Sequence, residues 1–120
     1  MISIKRAYDP PSASDGTRVL VDGLWPRGIS KEKLKLDMWP KDVAPSASLR
    51  KWFSHDVARW TEFQRRYIAE LKQNAAAWKP IADAAHDHHV TLVFSSKDVE
   101  HNNAVVLQRF LSSRSKTTRS

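Results

Sequence analysis

Val90-Thr91-Leu92-Val93-Phe94, running straight into Ser95-Ser96-Lys97-Asp98, is the stretch on which the fold turns. A short run this apolar, with β-branched residues at 90, 91 and 93, reads as a strand covered on both faces, as in a parallel sheet. The polar loop and the apolar Ala104, Val105, Val106, Leu107, Phe110 and Leu111 that follow read as loop and then helix. That helix is expected to begin near Val99, with Ser96 or Asp98 as its cap.

Upstream of this unit, Trp60, Phe63, Tyr67, Ile68 and Leu71 fall on one helical stripe, and Glu62, Arg65, Arg66, Glu70 and Lys72 fall on the other face. Asp56 is placed to cap this long helix. A second helix is expected over Ala75 to Ala85, broken or kinked at Pro80. Ser46 caps a brief helix, Ala47 to Phe53. Nearer the N-terminus, Leu34 to Trp39 alternates apolar and charged residues and allows a third strand. Arg18 to Asp22 has the apolar run of a central strand, and Ile2 to Tyr8 reads as the first strand. The order implies an α/β fold: a small single-domain sandwich with a mostly parallel central sheet flanked by helices. The short, turn-rich link Asp9 to Gly16 also allows an antiparallel hairpin between the first two strands.

At 120 residues the chain is one domain's worth, and 41% hydrophobic residues with five tryptophans can build a core. The absence of cysteine excludes disulfides and thiolate chemistry. Met1 to Arg6 lacks the apolar run of a secretion signal and no stretch reaches membrane-span length, so a cytoplasmic location is expected. Of the net charge of +7, Arg114, Lys116 and Arg119 contribute three, leaving +4 for the body. The reading is therefore a folded domain over 1–111 and a basic, disordered tail over 112–120, able to bind nucleic acid weakly and without sequence preference.

Three segments carry the side chains that chemistry would use. In open α/β sheets, ligands lie beyond the carboxyl ends of strands, near helix starts. The loop after the strongest strand offers Ser95, Ser96 and Lys97, with His101, Asn102 and Asn103 on the turn beyond, a donor set suited to an anion. Asp22-Gly23-Leu24-Trp25-Pro26-Arg27-Gly28 leaves the end of another strand and presents Arg27 on a constrained backbone. Arg50 lies one helical turn beyond Ser46 and can lean toward the same place. Asp22 and His101 are the candidate proton-transfer pair. His86, His88 and His89 lack the spacing of a metal site, and nothing in the sequence calls for a cofactor.

Val19 to Gly28, then Ala44-Pro45-Ser46 with Leu49 to Phe53, then Lys97-Asp98 with Glu100 to Ala104 together resemble the DUF488 family, in its short bacterial YeaO-like branch. The resemblance spans the chain to Leu111. It implies an α/β fold with the three motifs gathered at one side of the sheet. In longer members the loop matching Ser95 to Asn103 carries a Cys-His-Arg signature, whereas Asn102 and Asn103 stand near that place here. Gly23 replaces an expected arginine, and Ser54 and Val57 replace an expected glycine and proline around His55-Asp56.

The leading expectation is a pocket for a small anionic ligand at the strand–loop–helix unit 90–104, built with Arg27 and Arg50, whether or not catalysis follows. The alternative is a nucleic-acid-binding or regulatory module using the net positive charge. A third reading has Trp39 or Trp78 meeting a partner protein. Cations converging in one cleft would favour the first, and a flat basic face the second.

Overall fold

The structure, a computed structural model, describes residues 1–118, with side chains described as far as Arg114. Among the described residues, β1 (Ile2–Arg6), β2 (Thr17–Leu20) and β3 (Val90–Phe94) form one sheet in the order β1-β3-β2. Both pairings are parallel, Ile2 opposite Val90 and Thr17 opposite Val90, so the hairpin alternative is not adopted. The central strand is β3, not β2 as expected, and all five of its residues are buried.

The link between β1 and β2 can be short because it turns tightly at its far end. Ser12 caps the turn Ala13–Asp15, and Gly16 follows at φ +65°. An added Cβ at Gly16 would lie 2.2 Å from the carbonyl oxygen of His89, so any side chain there would push the link off β3. Asp15 is held by Lys5 at 3.0 Å and Arg18 at 2.7 Å. Burial pushes its carboxyl upward, but the Ser12 N–H and the two cations outweigh this and keep it below the ordinary range.

Leu34 to Trp39 is not a strand. The short helix α1 (Lys31–Leu34) ends there, and the sheet gains only a single bridge, Val19 to Met38. Two anchors account for it. The buried Arg18 guanidinium donates to the carbonyls of Leu34 and Lys35, and the Asp37 side chain takes the Arg18 N–H that a paired strand would need.

The helices α2 (Ala47–Phe53), α3 (Trp60–Lys72), α4 (Ala75–Asp87) and α5 (Asn103–Thr118) share one core with the sheet. Val19, Val21, Leu92 and Phe94 enter it from the strands, meeting Phe63, Tyr67, Leu71, Ile81 and Leu107. The intervening strand residues Leu20 and Val93 face the opposite side, where Ala7, Leu34, Trp25, Ile29 and Trp39 cover them. Ser46 caps α2 as expected, accepting from Leu49 N–H. Asp56 caps a single turn, Val57–Arg59, that leads into α3. The chain stays helical through Pro80 instead of breaking.

α5 begins at Asn103, four residues later than expected, and continues past Leu111, where the domain boundary was placed, to Thr118. Arg114 lies over the rings of Trp78 and Phe110, at 4.9 and 4.6 Å. Arg119 and Ser120, and the Lys116 side chain of the expected tail, lie outside the described residues. No helix among the described residues is long and apolar enough to cross a membrane.

Candidate functional site

Parallel strands deliver all three carboxyl ends to one edge of the sheet, and the cleft lies there. Its volume is about 690 Å³. Tyr8 reaches it from the end of β1, Asp22 to Arg27 from the end of β2, and Ser95 to Asp98 from the end of β3. Arg50 joins from α2, and His101 to Asn103 from the head of α5. Every residue proposed from sequence for ligand binding or proton transfer thus lines the same cleft: Asp22, Arg27, Arg50, Ser95, Ser96, Lys97, His101, Asn102 and Asn103.

They do not all have the freedom that the sequence reading gave them. Asp22 ties two strand ends together. Its Oδ2 accepts from the Ser95 N–H at 2.9 Å and the Ser95 hydroxyl at 2.8 Å. Asn103 donates to Asp22 Oδ1 at 3.2 Å and to the Val21 carbonyl at 2.9 Å. Trp39 donates its indole N–H to the Asp22 carbonyl at 2.8 Å. A carboxylate holding three donors is a clamp across the sheet edge. It makes no hydrogen bond to His101.

The cap of α5 is neither Ser96 nor Asp98. Asn102, 3% exposed, accepts from Val105 N–H at 3.1 Å and donates to the Asp98 carbonyl at 2.8 Å. Asp98 organises the preceding turn, where its Oδ1 accepts from the N–H groups of Glu100 and His101, at 2.9 and 3.0 Å. Its Oδ2 stands 3.0 Å from Nδ1 of His101. Ser96 Oγ accepts from Asp98 N–H at 3.1 Å. The Ser95, Ser96, Asn102 and Asn103 side chains expected to meet an anion are therefore already engaged within the chain.

The positive charges are not. Arg27, Arg50 and Lys97 are exposed, and among the described residues their charged groups have no hydrogen-bond or ion-pair partner. Arg50 passes directly over Gly23, where an added Cβ would lie 2.8 Å from its Nη1. The departure from arginine at position 23 thus leaves room for Arg50 at the cleft. Asp22 and Asp98 are the acids of the lining, and the Glu100 N–H foremost, then the backbone and ring of His101, holds Asp98 below the ordinary carboxylate range against desolvation.

His101 stands edge-on to Trp60, with ring centres 5.2 Å apart. With Nδ1 turned to Asp98, Nε2 is the ring nitrogen left for a ligand. Two polar lining residues take roles that the sequence reading did not indicate. Tyr8 donates to the Arg27 carbonyl at 3.0 Å and was read only as the end of a strand. Asp98 is the partner of His101, and the i, i+3 spacing was the available signal.

Elsewhere, His88 bonds Thr17 and His89 bonds Ser3, so the histidine cluster serves two different strand starts. Among the described residues no group of three His, Cys, Asp or Glu side chains is placed to hold a metal. Trp39 and Trp78 are half-buried. Trp39 packs edge-on against Trp25, and Trp78 donates to the Leu71 carbonyl and meets Phe110. Lys41 lies over the Trp39 ring at 4.3 Å and Arg114 over the Trp78 ring at 4.9 Å.

Comparison with known proteins adds lineage. A sequence model described as the inactive DUF488-N3 subclade matches residues 1–120. The chain is 46% identical over 112 residues to "Uncharacterized protein YeaO" of Escherichia coli K12, covering 93% of this chain and 97% of that one. It is 38% identical over 113 residues to "Uncharacterized protein Rv3073c" of Mycobacterium tuberculosis H37Rv, covering 94% and 95%. No solved structure matches.

Proposed function

The chain belongs to the DUF488 family, as a YeaO-like member, and we propose that it binds a small anionic ligand in the cleft at the sheet edge without transforming it. The observation that carries this reading is the charge arrangement. Three unpartnered cations, Arg27, Arg50 and Lys97, border one cleft, while both of its carboxylates are occupied by the protein's own donors. Exposed like charges gathered without counter-ions repel one another, and an anion between them removes that cost.

Binding without turnover follows from the polar groups around the cleft. The serine hydroxyls face a carboxylate and a backbone group, and neither bonds His101. The carboxylate in reach of Ser95, Asp22, is already tied by the Ser95 N–H and by Asn103 and serves as a clamp, and neither hydroxyl has a histidine to take its proton. The chain has no cysteine, and the matching subclade is itself described as inactive. In this reading Arg27, Arg50 and Lys97 hold the anion, with His101 Nε2 as a further contact. Ser95, Ser96, Asn102 and Asn103 form the frame that keeps the cations in place.

The test is thermal stability with phosphate or sulfate added against chloride at equal ionic strength. A ligand that binds only the folded state raises stability by RT ln(1 + [L]/Kd). The expected result is a saturable rise with oxyanion that Arg50→Ala and Lys97→Ala each weaken. Equal behaviour in chloride and oxyanion at millimolar concentration would overturn the reading.

A further inference from the structure

The cations account for only part of the cleft's lining. Its volume, about 690 Å³, lies in the range of sites that enclose drug-sized organic molecules, far beyond what a bare oxyanion fills. Its remaining walls are largely apolar, and two of the large apolar side chains exposed on this protein stand there: Leu24 at 73% and Tyr8 at 45%. Exposed apolar side chains that line one cleft mark a binding groove in a way that side chains scattered singly over a surface do not.

Tyr8 is held in position. Its hydroxyl donates to the carbonyl of Arg27, and the Arg6 guanidinium lies 5.0 Å from its ring centre. Arg6 is fixed in turn by donating Nε to the Ser96 carbonyl at 2.9 Å. The ring is thereby tied to both loops that carry the cleft's cations, at Arg27 and beside Lys97. An aromatic side chain pre-positioned beside unpaired cations is a platform for a flat group attached to a negative charge.

Building on the anion-binding reading, we infer that the ligand is an organic anion with a flat, apolar end, its charge at Arg27, Arg50 and Lys97 and its apolar end on Tyr8 and Leu24. Inorganic phosphate is then only part of the ligand. The two ends are separable by experiment because different side chains hold them.

The probes are methylphosphonate and phenylphosphonate, which share a charged head and differ in the group attached to it. Each is titrated into the full chain by calorimetry, then into Tyr8→Ala, Leu24→Ser and Arg50→Ala. Tyr8 and Leu24 are exposed, and circular dichroism and thermal melting check that each variant folds. The expected result is that phenylphosphonate binds about tenfold or more tightly than methylphosphonate, the equivalent of ~1.4 kcal/mol. Leu24→Ser should shrink that ratio toward one and leave methylphosphonate affinity unchanged; Tyr8→Ala should shrink it as well, weakening phenylphosphonate more than methylphosphonate, whereas Arg50→Ala should weaken both probes alike. Equal affinity of the two probes for the wild type would overturn the inference and leave the anion site standing. So would a phenyl preference that survives in both apolar variants. Binding of neither probe would overturn the inference and the anion-binding reading together.

Discussion

Asp98 shows how one side chain decides what a loop can do. Its carboxylate takes the Glu100 and His101 N–H groups and the His101 ring, and so fills the donors that the sequence appeared to leave for a ligand. The Glu100 N–H leads the contacts that hold its pKa below the ordinary aspartate value. A lowered folded-state pKa stabilises the fold in full above the unfolded value, about 3.9, and that contribution is lost as pH falls through the folded value. The Asp98 carboxyl carbon, followed by NMR, should therefore titrate with a midpoint below about 3.9. The Glu100 and His101 amide signals should shift in the same window, and Asp98→Asn should abolish that step. A midpoint at or above the ordinary value would contradict the turn as described. Asparagine ranks with aspartate as a helix cap, so local preference did not distinguish Asn102 from Asp98. Asp98 is spent on the turn before the helix, and the head of α5 is fastened through Asn103 to Asp22, 81 positions away in sequence, a bond of which a window around the loop contains no trace.

Elements were legible where a period or a cap is local. The stripe of α3 repeats at helical spacing, and Phe63, Tyr67 and Leu71 are buried as that spacing requires. Phe63 is 2% exposed and stacks on Phe53 with ring centres 4.3 Å apart. Phe63→Ala should cost about 3–5 kcal/mol in denaturant unfolding, and a cost under about 1 kcal/mol would contradict its place in the core. Leu34 to Trp39 had a strand's alternation yet is pinned to β2 by Arg18 and Asp37 with a single bridge instead of a ladder, a tertiary effect that overrides pattern. The end of α2 shows the reverse, a local misfit that sequence comparison can see. Ser54 caps it at φ 45°, ψ 38°, the left-handed region that glycine occupies without penalty, and the family resemblance expects glycine there. Left-handed geometry costs a non-glycine residue roughly 1–2 kcal/mol, and glycine's greater unfolded-state freedom returns about 0.4–1 of it. Ser54→Gly should raise stability by about 0.5–1 kcal/mol on this balance, read as a higher denaturant midpoint at unchanged slope. A loss of stability would show that the Ser54 side chain matters more than its backbone.

For the whole molecule, parallel pairing is the fact that makes a site. Once β1, β2 and β3 run the same way, Tyr8, Asp22 and Ser95 must emerge at one edge, and residues far apart in sequence share a cleft. That gathering was foreseeable from two apolar runs ending in polar loops. The order of the strands was not, because both Arg18–Asp22 and Val90–Phe94 have the composition of a central strand, and only their neighbours tell them apart. Nor was the division of labour within the cleft, in which acids, serines and asparagines form the frame and the cations stay free. Amide shifts mapped during a phosphate titration of the full chain test that division most directly. Saturable shifts confined to residues 22–28, the neighbourhood of Arg50 and residues 95–103, each weakened in Arg50→Ala and in Lys97→Ala, are the predicted result. Shifts absent at millimolar phosphate, or centred away from these three segments, would contradict it.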